Sequence, residues 1–200
     1  MKILIDNGHG SDTKGKCSPD GRLLEWSYNR EIARRLYESL KNSGQDVTVV
    51  TPESNDIPLT QRVRRVNEWC DRLGSSRCVL VSIHVNAAGN GGWHSAMGWT
   101  GWVAPNASAA SRQLARIFYS NAMKLNLKGN RSTPPGNFWT GKFTILSKTK
   151  CPAILTENLF QDNKEDVAYL LSEAGMETIS RLHILSINQY ISEKIHCVKN

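Results

Sequence analysis

The chain has 200 residues, of which 40% are hydrophobic and 22% charged, ordinary values for a globular protein. No apolar run approaches the roughly 18 to 20 residues that a membrane-spanning helix needs, which excludes a transmembrane segment. The formal net charge of +7 favours polyanionic partners, with nucleic acid and an anionic wall or membrane surface as candidates and a scattered solvated surface as the alternative.

Cysteine usage and the N-terminus bear on the compartment. The five cysteines are widely spaced, odd in number and without a CxxC pair, which argues against a disulfide framework and a structural zinc knot: Cys17, Cys70, Cys78, Cys151 and Cys197. Cys70 and Cys78 fall on apolar faces and are predicted to be core thiols. The apolar start, residues 1–5, meets Asp6 with no cleavage site after it, so we expect a buried first strand, no signal peptide and a cytoplasmic protein at synthesis.

The first half of the chain alternates strands and helices. Residues 2–6 form a predicted strand that ends in the Asn7-Gly8-His9-Gly10 turn. A helix is predicted over 26–43, a strand over 47–51 and a second helix over 59–73. The first helix combines three arginines (Arg30, Arg34, Arg35) with Glu31 and Glu38, which indicates a mixed surface rather than a basic stripe.

The second half continues this pattern. Residues 78–84 are nearly all apolar, as in a central strand covered on both faces. Further strands are predicted over 99–103, 143–146 and 153–157, with 131–141 as a loop. Helices are predicted over 107–125, 165–171 and 173–195. These elements predict one α/β domain over residues 1–200, with helices on both faces of a sheet.

Residues able to bind a metal or move a proton follow three of the predicted strands. His9 follows the first strand, while His84 and Glu157 close the central and last strands, and Glu25 stands where the first helix begins. In open α/β sheets, ligand sites gather beyond the C-terminal ends of the strands. Two imidazoles and one carboxylate are a standard catalytic zinc set, and a further carboxylate near them can act as a base.

Each of these residues also has an ordinary structural role. A histidine at a strand end is commonly only hydrogen-bonded, and a glutamate at a helix start commonly only offsets the helix dipole. Glu157 could cap the turn after its strand, although burying an unpaired carboxylate is costly. His94, His183 and His196 are assigned to a loop and to the last helix. Since HExxH is absent, spacing alone does not identify the site.

Five motifs resemble those of the zinc-dependent N-acetylmuramoyl-L-alanine amidases, in the family's order. Residues 3–10 resemble the opening Asp-x-Gly-His-Gly motif, and Leu24-Glu25 followed by Asn29 and Ala33 resembles the second. Residues 59–67 look like a Leu-x-x-Arg helix, residues 82–87 like Ser-Ile-His-x-Asn-Ala, and residues 154–163 like the closing Glu-x-Gly-Phe-x-Ser-Asn motif.

The resemblance implies the fold, the reaction and the residues that perform it. It implies a twisted, mostly parallel six-stranded sheet, with Zn²⁺ bound by His9, Glu25 and His84 and with Glu157 as catalytic base. The implied reaction is hydrolysis of the amide bond between the muramic acid lactyl group and L-alanine in bacterial peptidoglycan. We expect a monomer that acts at the bacterial cell wall and has no nucleic-acid partner; phage-type lysis and export by another route both stay open.

Departures from the family pattern concern the pocket rather than the ligands. Asn7 replaces a small residue or proline, and Leu159 replaces a glycine, which predicts a narrower pocket near Leu159. Trp93, Trp99 and Trp102 either pack in the core or line the substrate cleft.

Two rival functions are considered. A zinc peptidase of the stem peptide often has a His-x-x-Glu pattern, which is missing around His9. A non-catalytic wall- or nucleic-acid-binding protein would bind independently of chelators and with strong salt dependence.

Overall fold

A single sheet organises the chain. The computed structural model describes residues 1–89 and 91–198, with side chains up to residue 195. The sheet has six strands in the order β2-β1-β3-β6-β4-β5, with these bounds: β1 (Lys2–Asn7), β2 (Asp46–Val49), β3 (Cys78–Asn86), β4 (Thr100–Val103), β5 (Trp139–Thr140) and β6 (Ala153–Phe160). Neighbours are parallel except β4 and β6, which are antiparallel. The mostly parallel six-stranded sheet is therefore confirmed.

Helices cover both faces of the sheet. Their bounds are α1 (Glu25–Asn42), α2 (Leu59–Leu73), α3 (Ala109–Lys124), α4 (Thr144–Ser147), α5 (Lys164–Leu170) and α6 (Glu173–Val198). The central strand β3 directs alternate side chains to opposite faces, because successive side chains of a strand point in opposite directions. Val79 and Val81 pack in the cluster with α1, α3, α5 and α6, whereas Leu80 packs in the cluster with α2 and α4. The fold is thus a three-layer α/β structure, as expected from the alternating elements.

Two short elements differ from the sequence predictions. The predicted strand over 143–146 is wrong, since Thr144–Ser147 is a single helical turn, α4. A short, mostly apolar run fits a helix turn and a strand equally well, and Ile145 and Leu146 are buried here. The strand β5 lies in the predicted loop 131–141; it has two residues, and its pairing with β4 depends on a distant part of the chain.

The three adjacent central strands define the functional edge of the sheet. Because β1, β3 and β6 are parallel neighbours, their C-terminal ends meet at one edge. The register between β3 and β6 shifts between His84 and Asn86 of β3. Two residue positions along β3 lie opposite three positions along β6. This bulge contains Leu159, whose φ of 64° lies in the left-handed region. The residues that follow β1, β3 and β6 therefore lie close together at this edge of the sheet.

Candidate metal centre

The turn after β1 brings His9 against β3. A Cβ atom at Gly8 would lie 2.1 Å from Cε1 of His84, so this position has room only for glycine. His9 follows in the left-handed region, with φ 64°. Asn7 does not face the cluster of His9, Glu25 and His84, since its side chain accepts a hydrogen bond from Thr51.

His9, Glu25 and His84 converge on one point. One potential ligand atom from each residue lies within 4.8 Å of the other two. Oε1 of Glu25 is 3.2 Å from Nδ1 of His84 and 3.4 Å from Nε2 of His9. The two imidazole rings are 5.0 Å apart and nearly perpendicular. The structure therefore brings together three residues that are 16 and 59 positions apart along the chain.

Glu25 is held in place by the backbone on both sides. Its own amide N–H donates to the carbonyl oxygen of Lys16 at 2.9 Å, and its Oε1 accepts from the Val85 amide at 3.0 Å. Burial opposes its ionisation, but contacts with His84 and His9 and the Val85 amide hold the pKa of Glu25 below its usual value. The cluster therefore contains a buried carboxylate that stays charged.

The two histidines of the cluster respond differently to burial. Burial lowers the pKa of His9 to about 4, despite the nearby charge of Glu25. At His84, burial also disfavours the charged ring, yet the hydrogen bond and charge of Glu25 raise the pKa. A neutral imidazole is the form that binds a metal ion, and His9 is already neutral above pH 4.

Glu157 lies next to the cluster on the neighbouring strand. It is paired in register with His84, and its Oε2 is buried without a hydrogen-bond partner among the described residues. Burial raises the pKa of Glu157 to about 7, although the charge of His84 lowers it in part. A carboxyl group with such a pKa can both accept and donate a proton near neutral pH. Glu157 is thus a carboxylate next to the cluster that is not one of the three candidate ligands.

Arginine side chains hold the main chain of His9. Its carbonyl oxygen accepts from Nη1 of Arg30 at 3.0 Å and from Nη2 of Arg62 at 3.2 Å. Arg62 is fully buried and forms ion pairs of 2.8 Å with Asp6 and with Asp56. Arg30 does not belong to the mixed helix surface to which its charge pattern assigned it. The inward position of Arg30 could not be predicted from the sequence, because its side chain also donates to the carbonyl oxygen of Glu53, 23 positions away along the chain.

Several other residues singled out by sequence lie apart from the cluster. Leu159 points into a cavity of about 400 Å³ that Met97 and Tyr169 also line. The narrower pocket expected near Leu159 stays a prediction, and none of the residues His9, Glu25, His84 and Glu157 lines this cavity. His183 is buried and hydrogen-bonded to Thr156 and Ile179, whereas His94 is exposed. His196 is in α6, but its side chain lies outside the described residues.

The three tryptophans have different environments. Trp99 is buried and donates from Nε1 to Asn158. Trp102 packs against Trp139 and Phe143. Trp93 is half-buried, with the ammonium group of Lys164 5.7 Å from its ring. Core packing therefore accounts for Trp99 and Trp102.

The free cysteines are not part of this centre. Cys17, Cys70, Cys78 and Cys151 are free thiols, and the last three are buried. The prediction that Cys70 and Cys78 are core thiols is confirmed. Cys197 lies outside the residues whose side chains are described.

The donor set fits a divalent metal ion that prefers nitrogen and oxygen ligands. Two imidazoles and a carboxylate match the three-ligand sets of catalytic zinc sites. Oε2 of Glu25 is buried and has no hydrogen-bond partner in the described part of the chain. A buried carboxylate oxygen without a donor is costly, and a bound cation would remove that cost. The cluster could thus bind a metal ion through these three side chains.

Comparisons with known proteins point to one family. A family profile described as N-acetylmuramoyl-L-alanine amidase matches residues 3–189. The chain is 32% identical over 185 residues to the amidase CwlM of Bacillus licheniformis, covering 92% of this chain and 66% of that protein. It is 26% identical to the sporulation-specific amidase of Bacillus subtilis, covering 97% of this chain and 69% of that one. The chain thus spans about two thirds of the length of these curated relatives.

A solved structure gives the same result for the fold. An N-acetylmuramoyl-L-alanine amidase from Clostridium difficile 630 superposes with a TM-score of 0.79 at 26% identity, covering 96% of this chain and 97% of the other. The similarity therefore extends over nearly the whole of both chains.

Proposed function

Because the chain belongs to the N-acetylmuramoyl-L-alanine amidase family, we propose that it hydrolyses the amide bond between the lactyl group of muramic acid and L-alanine in bacterial peptidoglycan. The observation that carries this proposal is the convergence of His9, Glu25 and His84 within 4.8 Å, beside the half-buried Glu157. The two curated relatives described above are both N-acetylmuramoyl-L-alanine amidases.

We assign His9, Glu25 and His84 as ligands of Zn²⁺, and Glu157 as the group that moves the proton. When bound, zinc polarises the scissile carbonyl as a Lewis acid and lowers the pKa of water toward about 7. Support for the ligand assignment is the donor set itself and the partnerless Oε2 of Glu25.

Glu157 has two tasks in this proposal. Its carboxylate takes a proton from the attacking water and then passes the proton to the departing nitrogen of L-alanine. Burial that raises its pKa to about 7 makes it a stronger base than an exposed glutamate, and its protonated form a usable acid at neutral pH. The position opposite His84 in register supports this role.

We further propose that residues 1–200 form one catalytic domain, monomeric and acting at the cell wall without a nucleic-acid partner. One layered fold and a family match over residues 3–189 support the domain assignment. Among the described residues, none of the helices could span a membrane.

Metal analysis combined with mass spectrometry of digested peptidoglycan tests the proposal. We expect about one zinc per chain, and zinc-dependent release of peptides with free L-alanine amino termini from intact glycan. Treatment with a chelator should abolish the release, and added zinc should restore it. Cuts inside the stem peptide would indicate a peptidase instead, and chelator-resistant cleavage would contradict the zinc assignment.

A further inference from the structure

The positive charge of the chain is concentrated in one continuous tract. Residues 72–156 contain ten of the 25 lysines and arginines, and none of the 18 aspartates and glutamates. The rest of the chain therefore holds 15 cations against 18 carboxylates. The tract forms β3, β4, α3, β5 and α4 with the loops between them. The net charge of +7 thus belongs to one part of the fold and is not scattered over the whole surface.

Four exposed cations of this tract surround the strand β5, at the end of the sheet. Arg112 and Arg116 lie one turn apart on α3, whereas Arg131 precedes β5 in its loop and Lys142 follows β5 by two residues. Because β5 pairs only with β4, it leaves the last edge of the sheet open. We call Arg112, Arg116, Arg131 and Lys142 together the β5 cationic surface.

The β5 cationic surface has no anionic partner within the part of the chain that the structure describes. Its four side chains form no ion pair there and donate no hydrogen bond. The first 71 residues are different, because each of their seven arginines forms an ion pair or a hydrogen bond: Arg22, Arg30, Arg34, Arg35, Arg62, Arg64 and Arg65. The donors of the β5 cationic surface are therefore available to a ligand.

Aromatic rings restrict two of these arginines. The guanidinium of Arg116 lies 5.7 Å from the ring of Phe138, and that of Arg131 lies 6.0 Å from the ring of Trp139. Such contacts hold a guanidinium in place while its N–H donors stay unused. Each ring already has an arginine beside it, and Trp139 also packs against Trp102 at 6.2 Å. The rings therefore support the cations and do not form the free stacking platforms that proteins use to bind unpaired bases.

These features together select one chemical class of partner. Unpaired guanidinium groups favour phosphates, which they bind with two parallel hydrogen bonds. A lipid surface fits less well, because membrane-binding faces combine basic with apolar side chains. Among the described residues, the large hydrophobic side chains that are exposed all lie outside residues 72–156. A flexible polymer of phosphates without bases therefore matches this surface best.

We propose that the β5 cationic surface binds a cell-wall polymer of polyol or sugar units joined by phosphodiesters. The choice of a wall polymer rests on the proposed amidase function, which places the substrate in the same wall. The strand β4 separates β5 from β6, which carries Glu157. The surface is therefore an attachment site outside the metal centre, and it holds the enzyme on the wall by a contact that does not require zinc.

A labelled glycerol phosphate oligomer tests the proposal, with binding to the folded protein measured by fluorescence anisotropy. We expect the affinity to fall steeply as salt increases, because bound phosphates release their counterions. Arg112→Gln/Arg116→Gln/Arg131→Gln should bind about tenfold more weakly and with a shallower salt dependence, as expected for the loss of three exposed charge contacts. The oligomer contains no amide bond, so its binding is measured independently of amidase activity.

A variant with the same net charge is the control. Arg22→Gln/Lys41→Gln/Arg64→Gln removes three exposed cations outside residues 72–156 and should keep the affinity of the unmodified protein within about twofold. Thermal unfolding of both variants checks that they are folded. No binding of the oligomer by the unmodified protein, or equal losses in the two variants, would overturn the proposal and leave the amidase function intact.

Two further probes distinguish the wall polymer from other polyanions. A thymidine oligonucleotide has the same number of backbone bonds between its phosphates as the glycerol phosphate oligomer, so the sugar rings and bases are the main difference. We expect it to bind no more tightly than the oligomer, and tighter binding would assign the surface to nucleic acid instead. Binding to phosphatidylglycerol vesicles without binding to the oligomer would assign the surface to a membrane; either result contradicts the proposal.

Discussion

Arg30 donates a hydrogen bond from Nη1 to the carbonyl oxygen of His9, over 3.0 Å, and thereby connects α1 to the turn that carries a proposed metal ligand. His9 has a left-handed backbone with φ 64°, a conformation that costs a residue with a side chain roughly 1 kcal/mol or more. The same guanidinium donates to the carbonyl oxygens of Trp26 and Glu53. Arg30 therefore fixes the orientation of His9 without touching its ring.

Replacing Arg30 tests whether this contact supports metal binding. Arg30→Lys keeps the charge, but a single ammonium group cannot bridge three carbonyl oxygens as the planar guanidinium does. We expect zinc affinity to fall by about tenfold, the lower end of the range for residues that orient metal ligands. Competition with a chromophoric chelator measures it. Arg34→Lys is the control, since Arg34 is an exposed residue of the same helix that pairs with Glu31 and Glu38; equal losses in both variants would contradict the role of Arg30.

Metal content should distinguish the proposed role of Glu157 from that of His84. Glu157→Ala is expected to keep zinc and to lose hydrolysis by about 10²- to 10⁴-fold, the usual contribution of a positioned acid–base group. His84→Ala should lose the metal itself. Metal analysis and peptidoglycan turnover measured on the same samples distinguish the two outcomes. Near-normal turnover of Glu157→Ala would refute the assignment, and His94→Gln, at an exposed histidine outside the cluster, should retain both properties.

Much of the fold was predictable because buried parallel strands have a strong local signal. The run Cys78 to Ile83 is apolar except for Ser82, and it forms the central strand with both faces covered. Short elements were not predictable for the opposite reason. Strand β5 has two residues and exists through its pairing with Trp102 and Val103 of β4, which no local pattern encodes.

The candidate site was predictable where a residue follows a strand, since parallel neighbours end at the same edge. This reasoning applies to His9, His84 and Glu157, and the structure brings them to adjoining strands. Arg30 and Lys16 were missed. The contact of Arg30 requires the Glu53 carbonyl to come close in three dimensions, and the position of Lys16 depends on how its glycine-containing loop folds back on Glu25.

His183 should make the folded protein sensitive to acid. It is fully buried, and burial lowers its pKa to about 4 from the usual 6.5. Between these two values the unfolded chain binds the proton and the folded chain does not, so the free energy of unfolding falls as pH decreases from 6.5 to 4. The loss amounts to about 3 kcal/mol for this shift and levels off below pH 4.

Chemical denaturation between pH 4 and 7 measures this contribution. His183→Gln should show a flatter dependence on pH than the unmodified protein, whatever its stability at pH 7. Other groups, including His9, titrate in both proteins and cancel in the difference. The exposed His94 provides the control variant His94→Gln, which should retain the full dependence; identical curves for His183→Gln and the unmodified protein would show that His183 does not carry the effect.

Replacing Leu159 with glycine has opposing effects on the stability of the folded protein. Its φ of 64° favours glycine, and relief of this conformation contributes roughly 1 kcal/mol. Its side chain is only 4% exposed, and removing a buried leucine side chain costs about 2 to 5 kcal/mol. Glycine also loses more chain entropy on folding, by about 0.5 to 1 kcal/mol. The burial contribution is larger, so Leu159→Gly should lower the free energy of unfolding by about 1.5 to 5 kcal/mol.

The position of Leu159 predicts that Leu159→Gly lowers stability but leaves activity nearly unchanged. Its side chain borders the cavity of Met97 and Tyr169 rather than the His9–Glu25–His84 cluster, so turnover per folded molecule should stay within about twofold. Asn126→Gly is the matched control, because Asn126 has φ 58° but is exposed; its stability should change by less than about 1 kcal/mol. A Leu159→Gly protein more stable than the original would mean that backbone strain outweighs burial at the bulge, and a large loss of turnover would mean that the bulge itself sets the position of Glu157.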